Sequence, residues 1–166
     1  ANAKALYFCG LFFEGEEAEQ WYELGINILR KQIPEQFLND GAHFELSTTY
    51  HALLTEDLLD IIQFMKMVDV EIPLNWMETA EKAVKWLVVM TRSDGLPPLF
   101  NDAAYGITPS LTDVFKLQKS AGIETPDKVN LGMTDLSESG YFRYETENYS
   151  CFGDAGQIGP DYIPGH

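Results

Sequence analysis

Apolar residues recur at helical spacing through the first four-fifths of the chain, and then the pattern changes. Residues 1–13 (Ala-Asn-Ala-Lys-Ala-Leu-Tyr-Phe-Cys-Gly-Leu-Phe-Phe) read as the end of a buried helix. No capping residue precedes them, so the chain is expected to start inside an element. A second helix is predicted from Glu16 to about Phe37. Trp21, Leu24, Ile28 and Leu29 form its apolar stripe, and Glu16, Glu17 and Glu19 fill its first turns, where the helix dipole favours negative charge. Ser47 is a suitable N-cap for a third helix running to about Val68, with Tyr50, Leu53, Leu54, Leu58, Ile61, Ile62 and Met65 at helical spacing. A fourth helix is expected to open at Asn75, where Asn75 and Glu78 make a capping-box pattern after Pro73. It should stop near Ser93-Asp94-Gly95. Thr108-Pro109 suits the start of a short fifth helix, with threonine at the N-cap and proline at the first helical position, and Gly122 suits its end.

After residue 122 the helical period disappears. Residues 140–147 and 149–153 read as two short strands, and the tail from Asp154 to His166 is rich in turn formers. The predicted organisation is a mainly α domain over residues 1–122, a linker over 123–138 and the start of a β domain over 139–166. Helices followed by strands point to separate domains, and two hairpin strands bury no core alone. Successive helix pairs with short loops fit a helical toroid or solenoid.

Composition narrows the function. Apolar residues make up 45% and charged residues 22%, which suits a packed core. The net charge of -15, from 26 acidic and 11 basic residues, opposes nucleic-acid binding and anionic membrane surfaces. It is awkward for a polyanionic substrate unless positive groups are concentrated locally or lie outside this chain. No apolar run reaches the roughly 18 residues of a membrane span, and the N-terminus has no signal-peptide shape. Cys9 and Cys151 stand far apart and suggest neither a disulfide framework nor a zinc site; Cys9, in an apolar run, reads as a small buried hydrophobe.

The densest chemistry lies in Asp40-Gly-Ala-His43-Phe-Glu45-Leu-Ser47-Thr-Thr-Tyr50-His51, which leads into the third helix. Tyr50 falls in the first turn if Ser47 caps the helix. Unpaired N–H groups and the positive dipole end there would favour a phenolate or an anionic ligand. Spacing alone reads Tyr50 more readily as an apolar-stripe residue with its hydroxyl at the surface. His43 and Glu45, in a segment expected to be extended, would point the same way and could orient each other or bind a sugar hydroxyl; spacing alone reads them more readily as a plain surface loop. His51 faces elsewhere and suggests no chemistry, and the histidine spacing suggests no metal. Asn101 and Asp102, on a long interhelical loop, suit polar substrate groups or simple loop shaping through Asx turns. His166, after Pro164-Gly165, could be presented as an acid/base group or be an unstructured chain end.

These segments, together with Leu58-Leu59-Asp60, Leu99-Phe-Asn-Asp102 and Gly159-Pro-Asp-Tyr-Ile-Pro-Gly-His166, resemble the heparinase II/III-like polysaccharide lyase family in the same order over nearly the whole chain. The resemblance implies an incomplete α/α toroid of antiparallel helix pairs, followed by the first strands of an antiparallel β-sandwich. It implies β-elimination on a 1,4-linked uronic-acid polysaccharide. Tyr50 would then be the acid, or both acid and base, and His166 a second catalytic residue. His43, Glu45, Asn101 and Asp102 would be substrate contacts. It further implies a bacterial protein, periplasmic or secreted, although a cytoplasmic location stays open.

The chain also departs from the family pattern. The carboxylate-neutralising asparagine would fall just before Ala1, and any sandwich metal ligands (zinc or calcium) beyond His166. Leu46 stands where members commonly carry arginine. The isolated chain is therefore expected to hold only part of an active site and to be inactive, with no metal of its own. Exposed helix faces are expected to promote self-association or cover by a partner. A non-catalytic carbohydrate-binding protein and a helical interaction module with an acidic face are the alternatives.

Overall fold

The computed structural model describes residues 2–124 and 129–157. Within them the chain forms α1 (Asn2–Phe12), α2 (Glu16–Gln36), α3 (Thr48–Met67), α4 (Leu74–Val89), α5 (Leu111–Ser120), β1 (Gly132–Leu136), β2 (Tyr141–Glu145) and β3 (Ser150–Asp154). The contacts between helices fix their directions. Gly25 lies so close to the backbone of Tyr7 that a Cβ would sit 2.6 Å from its nitrogen, which brings α1 and α2 together as an antiparallel pair. Lys4 bridges Asp57 at 2.8 Å and Asp60 at 2.5 Å, and Phe8 packs on Phe64 with ring centres 4.3 Å apart, so α1 and α3 run the same way. Lys66 donates to the Ala121 carbonyl at 2.5 Å and joins the C-terminal ends of α3 and α5. His51 at the start of α3 meets Ala83 late in α4, so these two are antiparallel. With α2 touching α4, the odd-numbered helices form one layer and the even-numbered ones the other. That two-layer arc is the mainly α architecture that the helix-pair pattern implied, and the antiparallel sheet follows it.

One apolar core joins the helices, drawing on Ile26, Leu29, Leu59, Ile62, Met65, Trp76, Val84 and Leu87. A second, smaller core packs Ala42, Trp86, Val89 and Met90 against Leu136 and Tyr141 of the sheet. Sheet order is β1-β2-β3, antiparallel throughout, with Leu136 opposite Tyr141 and Glu145 opposite Ser150. Alternation along β2 sends Tyr141 and Arg143 inward. Arg143 caps the end of α4, donating to the carbonyls of Val89 at 2.9 Å and Thr91 at 2.8 Å, where the dipole favours a cation. Asp40 closes the joint. Its Oδ2 accepts from Ser139 N at 2.8 Å and Ser139 Oγ at 2.7 Å, while Oδ1 accepts from Ala42 N at 3.0 Å. Gly41 is required beside it: its φ is +95°, and a Cβ would lie 2.3 Å from the Lys82 carbonyl carbon.

His51 is part of this scaffold. It is 1% exposed and lies 4.3 Å from the Trp86 ring, centre to centre. Its Nδ1 accepts from His43 N at 3.1 Å, which leaves Nε2 to donate to Ala83 O at 2.9 Å. The bond at Nδ1 requires the neutral ring, since a protonated nitrogen cannot accept. Burial pushes its pKa down to about 3; the Ala83 bond opposes that shift and neighbouring His43 adds to it.

Several expectations need correcting. α1 is not wholly buried: Tyr7 is enclosed, but Phe12 is 75% exposed and Cys9 only partly covered. The inward stripe of α2 is Ala18, Gly25, Ile26, Leu29 and Ile33, while Leu24 faces out, because the glycine face is the one that admits α1 closely. α4 begins at Leu74 without a side-chain cap. The Pro73 carbonyl already accepts from Trp76 N at 2.9 Å, so the Asn75–Glu78 box does not form. The helix ends at Val89, short of Ser93. α5 starts two residues later than expected: Ser110, not Thr108, is the N-cap, and its Oγ accepts from Asp113 N at 3.2 Å. β1 lies inside the stretch read as linker. Its Met133 is 65% exposed, so the strand shows no apolar alternation to recognise. Large apolar side chains are exposed as expected, at Phe12, Met67 and Leu74. Among the described residues no helix is long and apolar enough to cross a membrane.

Two outcomes test this scaffold. Asp40→Ala strands the Ser139 donors and should lower unfolding free energy by about 2 kcal/mol, read by urea denaturation; a change below about 0.5 kcal/mol would mean that sheet and helices are not coupled there. His51 has a folded pKa below its unfolded value of 6.5, so the stability it confers is complete above pH 6.5 and declines as pH falls toward 3. Between those limits the loss should be about 1.4 kcal/mol per pH unit, and His51→Gln should flatten that slope. An unchanged slope in the variant would contradict the buried neutral ring.

Candidate active site

The N-terminus of α3 is built from buried hydroxyls. Ser47 has the extended backbone of an N-cap, and its Oγ accepts from Tyr50 N at 3.5 Å, as the sequence led us to expect. Thr48 Oγ1 donates to Pro98 O at 2.7 Å, which ties this end of the helix to the loop after α4. That loop carries Asn101 and Asp102. Tyr50 thus sits in the first turn, partly exposed, with Asp102 hydrogen-bonded to its hydroxyl.

The electrostatics run opposite to the phenolate expectation. Tyr50 is shifted upward from its ordinary value of 10.0, first by the bond to Asp102, then by the Asp102 charge, then by burial and the charge of Glu45. Two nearby carboxylates disfavour the phenolate and keep the phenol protonated. The group is therefore suited to giving up a proton to a strongly basic oxygen, not to standing ready as a base.

His43 and Glu45 do not lie in an extended segment. Leu46 N bonds back to His43 O at 2.9 Å, forming a turn, so the side chains do not alternate as in a strand. His43 is 3% exposed beside Phe37 and Phe44, and it makes an isolated bridge to Phe37. Glu45 is partly exposed and close enough to act on Tyr50. The structure therefore gathers Tyr50, Asp102 and Glu45, and places His43 behind them as part of the wall. Residues 158–166 lie outside the described residues, and with them His166 and its Pro-Gly-His segment.

The Asn101 amide nitrogen has partners within the protein. Its Nδ2 donates to Leu46 O at 3.1 Å and to Tyr141 Oη at 3.0 Å, and Tyr141 Oη donates to Leu46 O at 2.6 Å. Leu46 and Asn101 both have left-handed backbones, with φ of +57° and +54°. Asparagine tolerates this; leucine does so at a cost. Burial first, and then the charge of Asp154, holds the Tyr141 phenol far above the usual tyrosine range, so it stays a donor. Sequence reading missed Tyr141, although its alternation with Arg143 along β2 marks it as facing the helices. Beside Leu46 an open pocket of about 400 Å³ is lined by Leu38, Phe44, Ser139, Gly140 and Gly156. Among the described residues no His, Cys, Asp and Glu side chains gather to hold a metal ion.

Comparison with known proteins bears on the family and the fold. The family model described as Heparinase II/III N-terminus matches residues 1–121. The heparin-sulfate lyase of Pedobacter heparinus is 30% identical over 105 residues, which is 61% of this chain and 16% of that protein. The heparin-sulfate lyase of Bacteroides stercoris is 32% identical over 109 residues, with the same coverage of 61% and 16%. Among solved structures, a heparan sulfate lyase HepC mutant from Pedobacter heparinus superposes with a TM-score of 0.74 at 24% identity, over 95% of this chain and 28% of that one. A heparinase III structure gives 0.69 at 24% identity, over 86% and 26%. The structural likeness is one of fold, and the chain spans about a sixth of the length of the curated relatives it matches. With the family match running through all five helices to residue 121, the chain belongs to the heparinase II/III N-terminus family.

Proposed function

We propose that this chain supplies one wall of the active site of a polysaccharide lyase, which cleaves uronic-acid-containing polysaccharide by β-elimination. The observation that carries the reading is the Tyr50 phenol, partly exposed in the first turn of α3, hydrogen-bonded to Asp102 and shifted upward in pKa. Family membership and the names of the relatives support the reaction class.

In β-elimination a base removes the proton on C5 of the uronate, and the electrons of that bond form the C4=C5 double bond. The C4–O bond then breaks, its pair goes to the leaving oxygen, and an acid protonates that oxygen. Tyr50 fits the acid. A tyrosine above 10 is less than about 0.1% phenolate at neutral pH, so it is a poor standing base but an always-loaded donor. Asp102 orients the hydroxyl, and Glu45 helps to keep it protonated. The base falls to another group, and we propose His166, which the resemblance makes a second catalytic residue.

The charges that act on Tyr50 are carboxylates. A uronate at this site therefore needs its own carboxylate neutralised by a group other than these. That supports an active centre completed by residues beyond this wall, with the chain alone inactive. An acidic polysaccharide as substrate, a periplasmic or secreted location and self-association through exposed apolar residues belong to the same proposal.

The test uses the intact protein and follows formation of the unsaturated uronate product. Tyr50→Phe should lower kcat by at least about 100-fold while substrate binding is kept. In the unsubstituted enzyme the acid form persists below the raised pKa, so Tyr50 should impose no loss of kcat through neutral pH and a loss only as pH passes above 10.0. Full turnover in Tyr50→Phe would refute the assignment. Binding without turnover in the unsubstituted protein would point to a carbohydrate-binding role instead.

A further inference from the structure

We infer that Tyr141, a residue of the β-sheet, is a positioning residue for Tyr50, acting through a closed ring of hydrogen bonds with Asn101 and the Leu46 carbonyl. The inference rests on the proposed role of Tyr50 as the acid.

The ring has three members and three contacts: Tyr141 Oη to Leu46 O at 2.6 Å, Asn101 Nδ2 to Leu46 O at 3.1 Å, and Asn101 Nδ2 to Tyr141 Oη at 3.0 Å. Donor and acceptor follow from the groups at two of the three corners. Leu46 O can only accept, and Asn101 Nδ2 can only donate. Tyr141 Oη donates to Leu46 O and accepts from Asn101 Nδ2, with the Asp154 carboxylate as a further neighbour. Removing the Tyr141 hydroxyl breaks two of the three contacts at once.

What the ring holds matters more than its own strength. Leu46 immediately precedes Ser47, the N-cap that accepts from Tyr50 N. Asn101 immediately precedes Asp102, the partner of the Tyr50 hydroxyl. One arm of the ring thus fixes the backbone that carries Tyr50, and the other fixes the carboxylate that orients it. Both arms pass through left-handed residues, Leu46 at +57° and Asn101 at +54°. Such backbones persist where surrounding bonds over-determine them. Leu46 is the costlier of the two, and its carbonyl is the atom that receives both donors. Without Tyr141 the Leu46 turn can relax, and the distance from Tyr50 to Asp102 is no longer set.

Tyr141 itself is firmly held. It is fully buried, lies 5.6 Å from the Trp86 ring and 5.2 Å from the Phe100 ring, centre to centre, and pairs with Leu136 and Asp154 across the sheet. The ring therefore makes the geometry of the acid depend on the docking of the sheet against the helices.

The experiment measures kcat, KM, melting temperature and the alkaline limb of the kcat–pH profile in the intact protein, for Tyr141→Phe, Asn101→Gly and Tyr50→Phe in parallel. Phenylalanine keeps the packing and removes only the hydroxyl; glycine keeps the left-handed backbone and removes only the amide. Both should lower kcat by about tenfold or more with KM within about twofold. Both should also move the alkaline limb to lower pH, because a loosened Asp102 contact raises the phenol's pKa less. A loss that tracks melting temperature with the alkaline limb unmoved, or an unchanged kcat, would overturn the inference while a dead Tyr50→Phe left the proposed function standing. An active Tyr50→Phe would overturn both.

Discussion

The bond between the Asp40 carboxylate and Ser139 holds the two parts of this structure together. One carboxylate oxygen accepts both donors of a serine 99 positions away, and the other oxygen shapes its own turn through Ala42 N. Charge-assisted bonds of this kind are stronger than neutral ones, and here they work at a half-covered site where water competes less. With the β1–β2 turn fixed, Trp86 can donate to the same serine hydroxyl at 3.1 Å and lie between His51 and Tyr141. Tyr141 then meets Leu46, and Arg143 meets the end of α4. Remove the carboxylate and each later contact must be made by a sheet whose position is no longer defined.

The same joint explains why the candidate site sits where it does. The start of α3, the loop bearing Asn101 and Asp102, and the sheet converge on the Leu46 carbonyl. The only leucine with a left-handed backbone among the described residues lies at that convergence. A strained residue whose carbonyl receives two donors is a common mark of a site held in one geometry. The electrostatic consequence is a phenol between carboxylates. That arrangement suits an acid, and the uronate of the proposed reaction would need a cation from elsewhere.

Much of this was legible in the sequence wherever a local rule decided the outcome. Ser47 caps α3 because its hydroxyl lies one turn before Tyr50, and no tertiary contact overrides it. The helical layers follow from apolar spacing in the same way. Where two local rules competed, tertiary packing chose between them. Pro73 and buried Trp76 start α4 ahead of Asn75, and Ser110 with Asp113 displaces Thr108. β1 was invisible because only Leu136 of its five residues turns an apolar side chain inward, while Met133 points outward. The bond from the Asn101 amide to Tyr141 was not visible, because nothing local points to a tyrosine 40 positions later. The sign of the Tyr50 shift was equally beyond reach, since it depends on Asp102 arriving from another loop.

The most direct measurement is the titration of the Tyr50 hydroxyl by NMR, using tyrosine labelled with ¹³C at Cζ and assigned with Tyr50→Phe. The account predicts a midpoint above the ordinary 10.0, falling back toward that value in Asp102→Asn. A midpoint at or below 10.0 that ignores the Asp102 substitution would contradict it: Tyr50 would then be governed by the helix end and would be suited to act as a phenolate base.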